Sequence, residues 1–163
     1  MYKLRNNTTI IGAASLIAAA FFFQSGADAI PASQRSCSVT PNNYNNLQTI
    51  SSAQGWQPVA GIIVQFHRGL SPNYPILQFS ADAGVDADSE IRLGYSIDGG
   101  PVQFFGPQNF ANHTQYWQTR YNLSVVPIGY GDHTIRPFWK INGSAGKKGV
   151  LDDRCLTLEQ GTR

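Results

Sequence analysis

Between Glu90 and Gly100 the chain spells out a hairpin. Ile91, Leu93, Tyr95 and Ile97 alternate with Arg92, Gly94 and Ser96. Strict two-residue alternation is what a strand with one buried face requires. Asp98-Gly99 follows at once, with Gly100 behind it. That dipeptide reaches the positive φ angles of a type I′ turn at little cost, and such a turn matches the twist of two antiparallel strands. A chain holding this segment is committed to an antiparallel sheet, with Val102 to Phe105 as the return strand.

The same texture continues from Trp56 onward. Short runs rich in β-branched and aromatic residues are separated by Gly, Pro, Asn and Asp, the pattern of an all-β chain. Strands are expected at Val59 to His67, Ile76 to Ser80, Tyr116 to Val126, Thr134 to Ile141 and Val150 to Leu158. In the third of these, Tyr121, Leu123 and Val125 share one face. Pro137 has no N–H for a ladder, so it points to an edge or a bulge. No amphipathic helix and no internal repeat is found. The expected fold class is therefore all-β, a single antiparallel β-sandwich of the jelly-roll kind over residues 55–160. Residues 30–54 lack apolar periodicity and include the turn-prone run Asn42-Asn43-Tyr44-Asn45-Asn46. They are expected to form an extended arm.

Ahead of the arm, Lys3 and Arg5 precede an uncharged, largely apolar stretch from Thr8 to Phe23, and Ala27-Asp28-Ala29 follows. This is the layout of a cleavable signal peptide over residues 1–29. The apolar stretch is shorter than the roughly 20 residues that span a bilayer, and no later stretch is apolar enough to do so. The expected location is secreted, extracellular or periplasmic, with no integral membrane segment once the signal is removed. In such an oxidising compartment the two cysteines, Cys37 and Cys155, are expected to form a disulfide. No Cys-x-x-Cys exists, so a redox role is not indicated.

Twelve Lys and Arg against ten Asp and Glu give a net charge of +2. The charges are scattered, and Lys147-Lys148 is the only adjacent basic pair. Nothing in this balance calls for nucleic acid. Catalytic motifs are missing too. There is no Gly-x-Ser-x-Gly elbow, and the glycine-rich run Gly143 to Gly149 fails the phosphate-loop order. His67, His113 and His133 lie far apart, without the spacing of a zinc set. Asp152 and Asp153 are neighbours, so in a strand they face opposite sides.

Two features carry possible binding chemistry. Asp82, Asp86, Asp88 and Glu90 are expected to crowd one loop just before a strand. Such oxygens suit a weak calcium site, and a solvated acidic turn that blocks a strand edge is the competing reading. No other cofactor is indicated. The second feature is a surplus of paired aromatics: Phe104-Phe105, Tyr116-Trp117 and Phe138-Trp139. Neighbours in a strand point to opposite faces, so one of each pair must be covered by other elements or face solvent. Tyr116, Trp117 and Trp139 are the candidates for stacking on a sugar ring or anchoring a protein partner.

The last third carries a resemblance. Gly131-Asp132-His133-Thr134-Ile135-Arg136-Pro137-Phe138-Trp139-Lys140, then Asn142-Gly143, then Arg154-Cys155-Leu156-Thr157-Leu158, resembles the closing hairpin of C1q/TNF-like jelly rolls and related bacterial and phage surface modules. Tyr95 to Gly100 fits the same pattern. The resemblance spans about seventy residues and implies a fold rather than an activity. The chain departs from it by lacking a collagen-like repeat and by having the two cysteines. The expected function is a secreted, non-catalytic binding or surface-interaction module whose partner is a glycan, an extracellular protein or its own copies. The alternative is an oligomeric C1q/TNF-like assembly module. A small secreted hydrolase, pairing His67 with an aspartate of residues 82–88, is the third reading.

Overall fold

A computed structural model of the protein describes residues 33–38, 47–69, 74–106, 109–112 and 118–160. The expected signal peptide, Tyr116, Trp117 and His113 lie outside the described residues. Two antiparallel sheets pack face to face, as the alternating pattern requires. Sheet A contains β1 (Ser33–Ser38), β2 (Gln48–Ser51), β5 (Ile76–Val85), β9 (Gln118–Val125) and β11 (Lys148–Glu159). Its strand order is β1-β11-β5-β9, with β2 beside β1 on the same flank of β11. Sheet B contains β3 (Gln57–Pro58), β4 (Val64–Arg68), β6 (Glu90–Ile97), β7 (Gln103–Phe104), β8 (Ala111–Asn112) and β10 (Gly131–Asn142). There β10 is central, with β6 on one side and β3 and β4 on the other.

The core lies between the two sheets. Leu77, Phe79, Ala81 and Ala83 of β5 and Leu151, Leu156 and Leu158 of β11 face Ile91, Leu93 and Tyr95 of β6 and Ile135, Trp139 and Ile141 of β10, all buried. These are the apolar phases of each strand, and their burial drives the two layers together. The expected turn is present: Asp98 has φ 51° and Gly99 has φ 75°, and β6 and β7 pair antiparallel across it.

Three places differ from the sequence reading. The acidic segment is not one loop, because β5 runs on to Val85 and carries Asp82 within the strand. Pro137 sits on a central strand, in register with Tyr95. Its missing donor is accommodated because pairing on the other side of β10 is interrupted between β3 and β4, where Val59 N–H reaches the Pro137 carbonyl at 2.9 Å. Lastly, residues 30–54 contribute two sheet-A strands. Their periodicity is faint because β1 never buries a residue fully.

Candidate functional site

The outer face of sheet B is built by the polar phase of β6 and β10, which turns out to be partly aromatic. Four rows cross it in register. Arg136 faces Ser96, Phe138 faces Gly94, Lys140 faces Arg92 and Asn142 faces Glu90. Pro58 flanks Phe138 on one side, and Phe104 flanks Gly94 on the other. Gly94 is required at this crossing. A Cβ there would lie 2.5 Å from Val102 Cγ1, 2.7 Å from the Gln103 carbonyl oxygen and 3.1 Å from Trp56 Cη2. The missing side chain is the hollow into which Trp56 and Val102 settle.

Above that hollow an aromatic platform forms. The Trp56 and Phe104 rings meet edge to face with centroids 5.5 Å apart. Lys140 Nζ lies 5.0 Å from the Trp56 ring and 5.7 Å from the Phe104 ring, a cation–π arrangement on both. Phe104 is 57% exposed. Trp56, Phe138 and Lys140 are half-buried. The two aromatic pairs among the described residues thus split as alternation demands. Phe105 and Trp139 enter the core, while Phe104 and Phe138 face outward.

Beside the platform is a fixed polar array. Glu90 Oε1 accepts from Arg92 Nε at 2.6 Å and from Asn142 Nδ2 at 2.8 Å, and Oε2 accepts from Asn109 Nδ2. Burial pushes the Glu90 carboxyl up. The hydrogen bonds from Arg92, Asn142 and Asn109 and the Arg92 charge together outweigh burial, so it is held below the ordinary carboxylate value. A carboxylate with three donors is locked in orientation and stays ionised.

At the far end of β10 two histidine–aspartate pairs occupy the rim. His67 Nδ1 is 2.7 Å from Asp132 Oδ1. His133 Nδ1 is 2.8 Å from Asp98 Oδ2, and its Nε2 is 3.1 Å from the Gly129 carbonyl oxygen. The hydrogen bond from His133 and the Thr134 backbone N–H hold Asp98 below its ordinary value. These contacts tie the β6–β7 turn to the start of β10. His67 therefore pairs with Asp132 across β4 and β10. The expected partner, an aspartate of residues 82–88, is not beside it, since β5 belongs to the other sheet.

Cys37 and Cys155 form a disulfide between directly opposed residues of β1 and β11, with Cα atoms 4.1 Å apart. Arg35 Nη2 lies 3.3 Å from Cys155 Sγ. Trp139 is 0% exposed, so this candidate belongs to the core and presents no surface to a ligand. The acidic residues are dispersed among separate tasks. Asp82 accepts from Thr119 Oγ1 at 2.5 Å, Asp86 accepts from the Lys148 N–H at 2.8 Å, Asp88 sits in the turn at φ 60°, and Glu90 is the hub just described. Among the described residues, no three His, Cys, Asp or Glu side chains gather as a metal-binding group.

Sequence reasoning missed two functional-looking features. One is Trp56 with Phe104, brought together only by register across four strands. The other is Arg154, 1% exposed. A bulge separates Asp152 from Cys155 in the pairing with β5, and Asp153 there has φ 40°. The extra residue turns Arg154 inward. Its Nη1 donates to the Leu151 carbonyl at 3.0 Å and its Nη2 to Ser38 Oγ at 3.3 Å. Burial lowers its proton affinity, and the Asp152 and Asp153 charges partly offset this.

No protein-family model and no curated protein sequence matches this chain. Solved structures do. The infectious bursal disease virus VP2 subviral particle matches with a TM-score of 0.51 at 9% identity, covering 79% of this chain and 32% of that one. A family two carbohydrate esterase from Cellvibrio japonicus matches with a TM-score of 0.30 at 14% identity, covering 82% of this chain and 35% of that one. This chain spans about a third of each. The first likeness establishes a shared β-sandwich fold and nothing about activity.

Proposed function

We propose that this protein is a secreted, non-catalytic β-sandwich that binds carbohydrate through the outer face of sheet B. The observation that carries this reading is the platform of Trp56, Phe104 and Phe138 beside the Glu90, Arg92, Asn109 and Asn142 array. Sugars present C–H faces that pack on aromatic rings and hydroxyls that need planar, oriented donors and acceptors. Phe104, Phe138, Glu90, Arg92 and Asn142 stand on paired strands, and Trp56 immediately precedes β3, so little ordering cost remains at binding for these groups. The disulfide and the absence of a long apolar helix among the described residues are compatible with an extracellular setting. The test is polysaccharide retention by affinity electrophoresis, with Trp56→Ala and Trp117→Ala run beside the parent. Retention that survives Trp56→Ala removes the platform from the site. Repeating the assay with calcium and then a chelator shows whether the Asp82 to Glu90 segment contributes.

A second reading rests on a different observation. β9 ends sheet A in the strand order, and its outward residues Tyr121, Leu123 and Val125 are 71%, 53% and 60% exposed, next to exposed Ile76. An apolar edge strand is a template for pairing with another chain. Self-assembly through β9 is the alternative role. Sedimentation of the parent and of Leu123→Lys decides it: a monomer at high concentration ends that reading.

A further inference from the structure

We infer that the saccharide held on sheet B is acidic, with its carboxylates directed at Lys140 and Arg136; this rests on the carbohydrate reading above. Arg136, Phe138 and Lys140 are alternate residues of β10 and share its outer face. At about 3.3 Å per residue the two cations stand on the order of 13 Å apart with an aromatic ring between them. That span exceeds one sugar ring and suits a chain.

The electrostatics of the face discriminate. Among the described residues, Arg92 is neutralised by Glu90, whereas no carboxylate pairs with Lys140 or Arg136. The acidic groups nearby are already committed. Glu90 holds Arg92, Asn142 and Asn109, and Asp98 holds His133 and the Thr134 N–H. An incoming carboxylate therefore meets two cations that no carboxylate pairs among the described residues, and the Glu90 carboxylate on the same face is already paired with Arg92. Lys140 is bedded on the Trp56 and Phe104 rings, where a charge pair is less screened than in bulk water. An acidic sugar keeps the ammonium in place and adds a charge-assisted hydrogen bond to it. At the other end Arg136 is exposed and lines an open hollow of about 450 Å³ with Pro58, Gly61 and Ile63. Its planar fork matches a carboxylate through two parallel bonds.

The experiment uses the full chain, titrated with three probes: polygalacturonate, dextran sulfate and unmodified dextran. Polygalacturonate is expected to bind most tightly, with affinity falling as salt is raised. Lys140→Gln and Arg136→Gln should each weaken it about tenfold, the effect of one charge-assisted contact, with unchanged melting temperature. Tighter binding of dextran overturns the acidic assignment and leaves the carbohydrate reading standing. Equal or tighter binding of dextran sulfate overturns the preference for carboxylate. No binding of any probe overturns the inference and the carbohydrate reading together.

Discussion

The outer faces of the two sheets are made by the same device, a strand alternation whose second phase points away from the core, yet they carry different chemistry. On sheet A, β1 and β11 are joined by the disulfide between Cys37, which is exposed, and Cys155, while the Arg154 guanidinium that Ser38 meets is turned inward and buried. On sheet B, β10 and β6 carry aromatic residues, an amide-flanked carboxylate and two cations that no carboxylate pairs among the described residues. One outer face holds the fold together at its edge. The other has groups fixed in orientation but not used up by the fold. The difference teaches where to look for binding: side chains held rigid by neighbours while still exposed, rather than exposed side chains as such.

Breaking the sheet-A side should have the largest effect. Cys37→Ser with Cys155→Ser removes a cross-link between residues 118 apart in sequence. Loop-closure entropy puts the loss at about 4–5 kcal/mol, read as a shift in urea midpoint. Saccharide binding measured well below that midpoint should be intact. A variant as stable as the parent would show that the clasp does not secure the β1 edge.

Glu90→Gln comes next and probes the join between fold and site on sheet B. Losing the charge from three hydrogen bonds should cost about 1–2 kcal/mol at neutral pH. The sign with pH follows from its lowered value. A depressed carboxylate contributes stability above its unfolded value, about 4.3, and that contribution disappears as pH falls through the lower folded value. Stability curves of parent and variant should therefore converge in acid. Curves that remain parallel throughout would mean Glu90 is not the hub of the array.

Phe104→Ala and Tyr121→Ala compare the two exposed surfaces directly. Each should change stability by less than about 1 kcal/mol. Only the first should lower saccharide retention, by several-fold. If both lower it equally, the sheet-B face has no privileged role. Asp98→Asn should give the smallest change. Asp98 is also held low, by His133 and the Thr134 N–H, so its contribution fades in acid in the same direction. The parent should lose melting temperature in acid slightly more steeply than the variant. A steeper loss in the variant contradicts the observed pairing.

Much of the fold was readable in the chain because burial on a sheet has a two-residue period. From Glu90 to Ile97 the apolar residues of the sequence keep that period without interruption, and the segment is a strand at those limits. β1 shows almost none, since an edge strand with polar residues on both faces leaves no apolar mark. Asp82 and Asp86 looked like neighbours in one loop. The extension of β5 to Val85 gives Asp82 a strand position and Asp86 a turn-closing one.

The layers, the β6–β7 turn and the disulfide partners follow from the residues alone, because each depends on local periodicity, local φ or a choice between only two sulfurs. The sequence also required that one member of each adjacent aromatic pair inside a strand face away from the core. Which member did so, and what it met there, was decided only by the tertiary structure. Trp56, Phe104 and Lys140 converge through register among β3, β10, β6 and β7. Register is set by how whole strands pack, and a slip of one residue would turn every side chain to the opposite face.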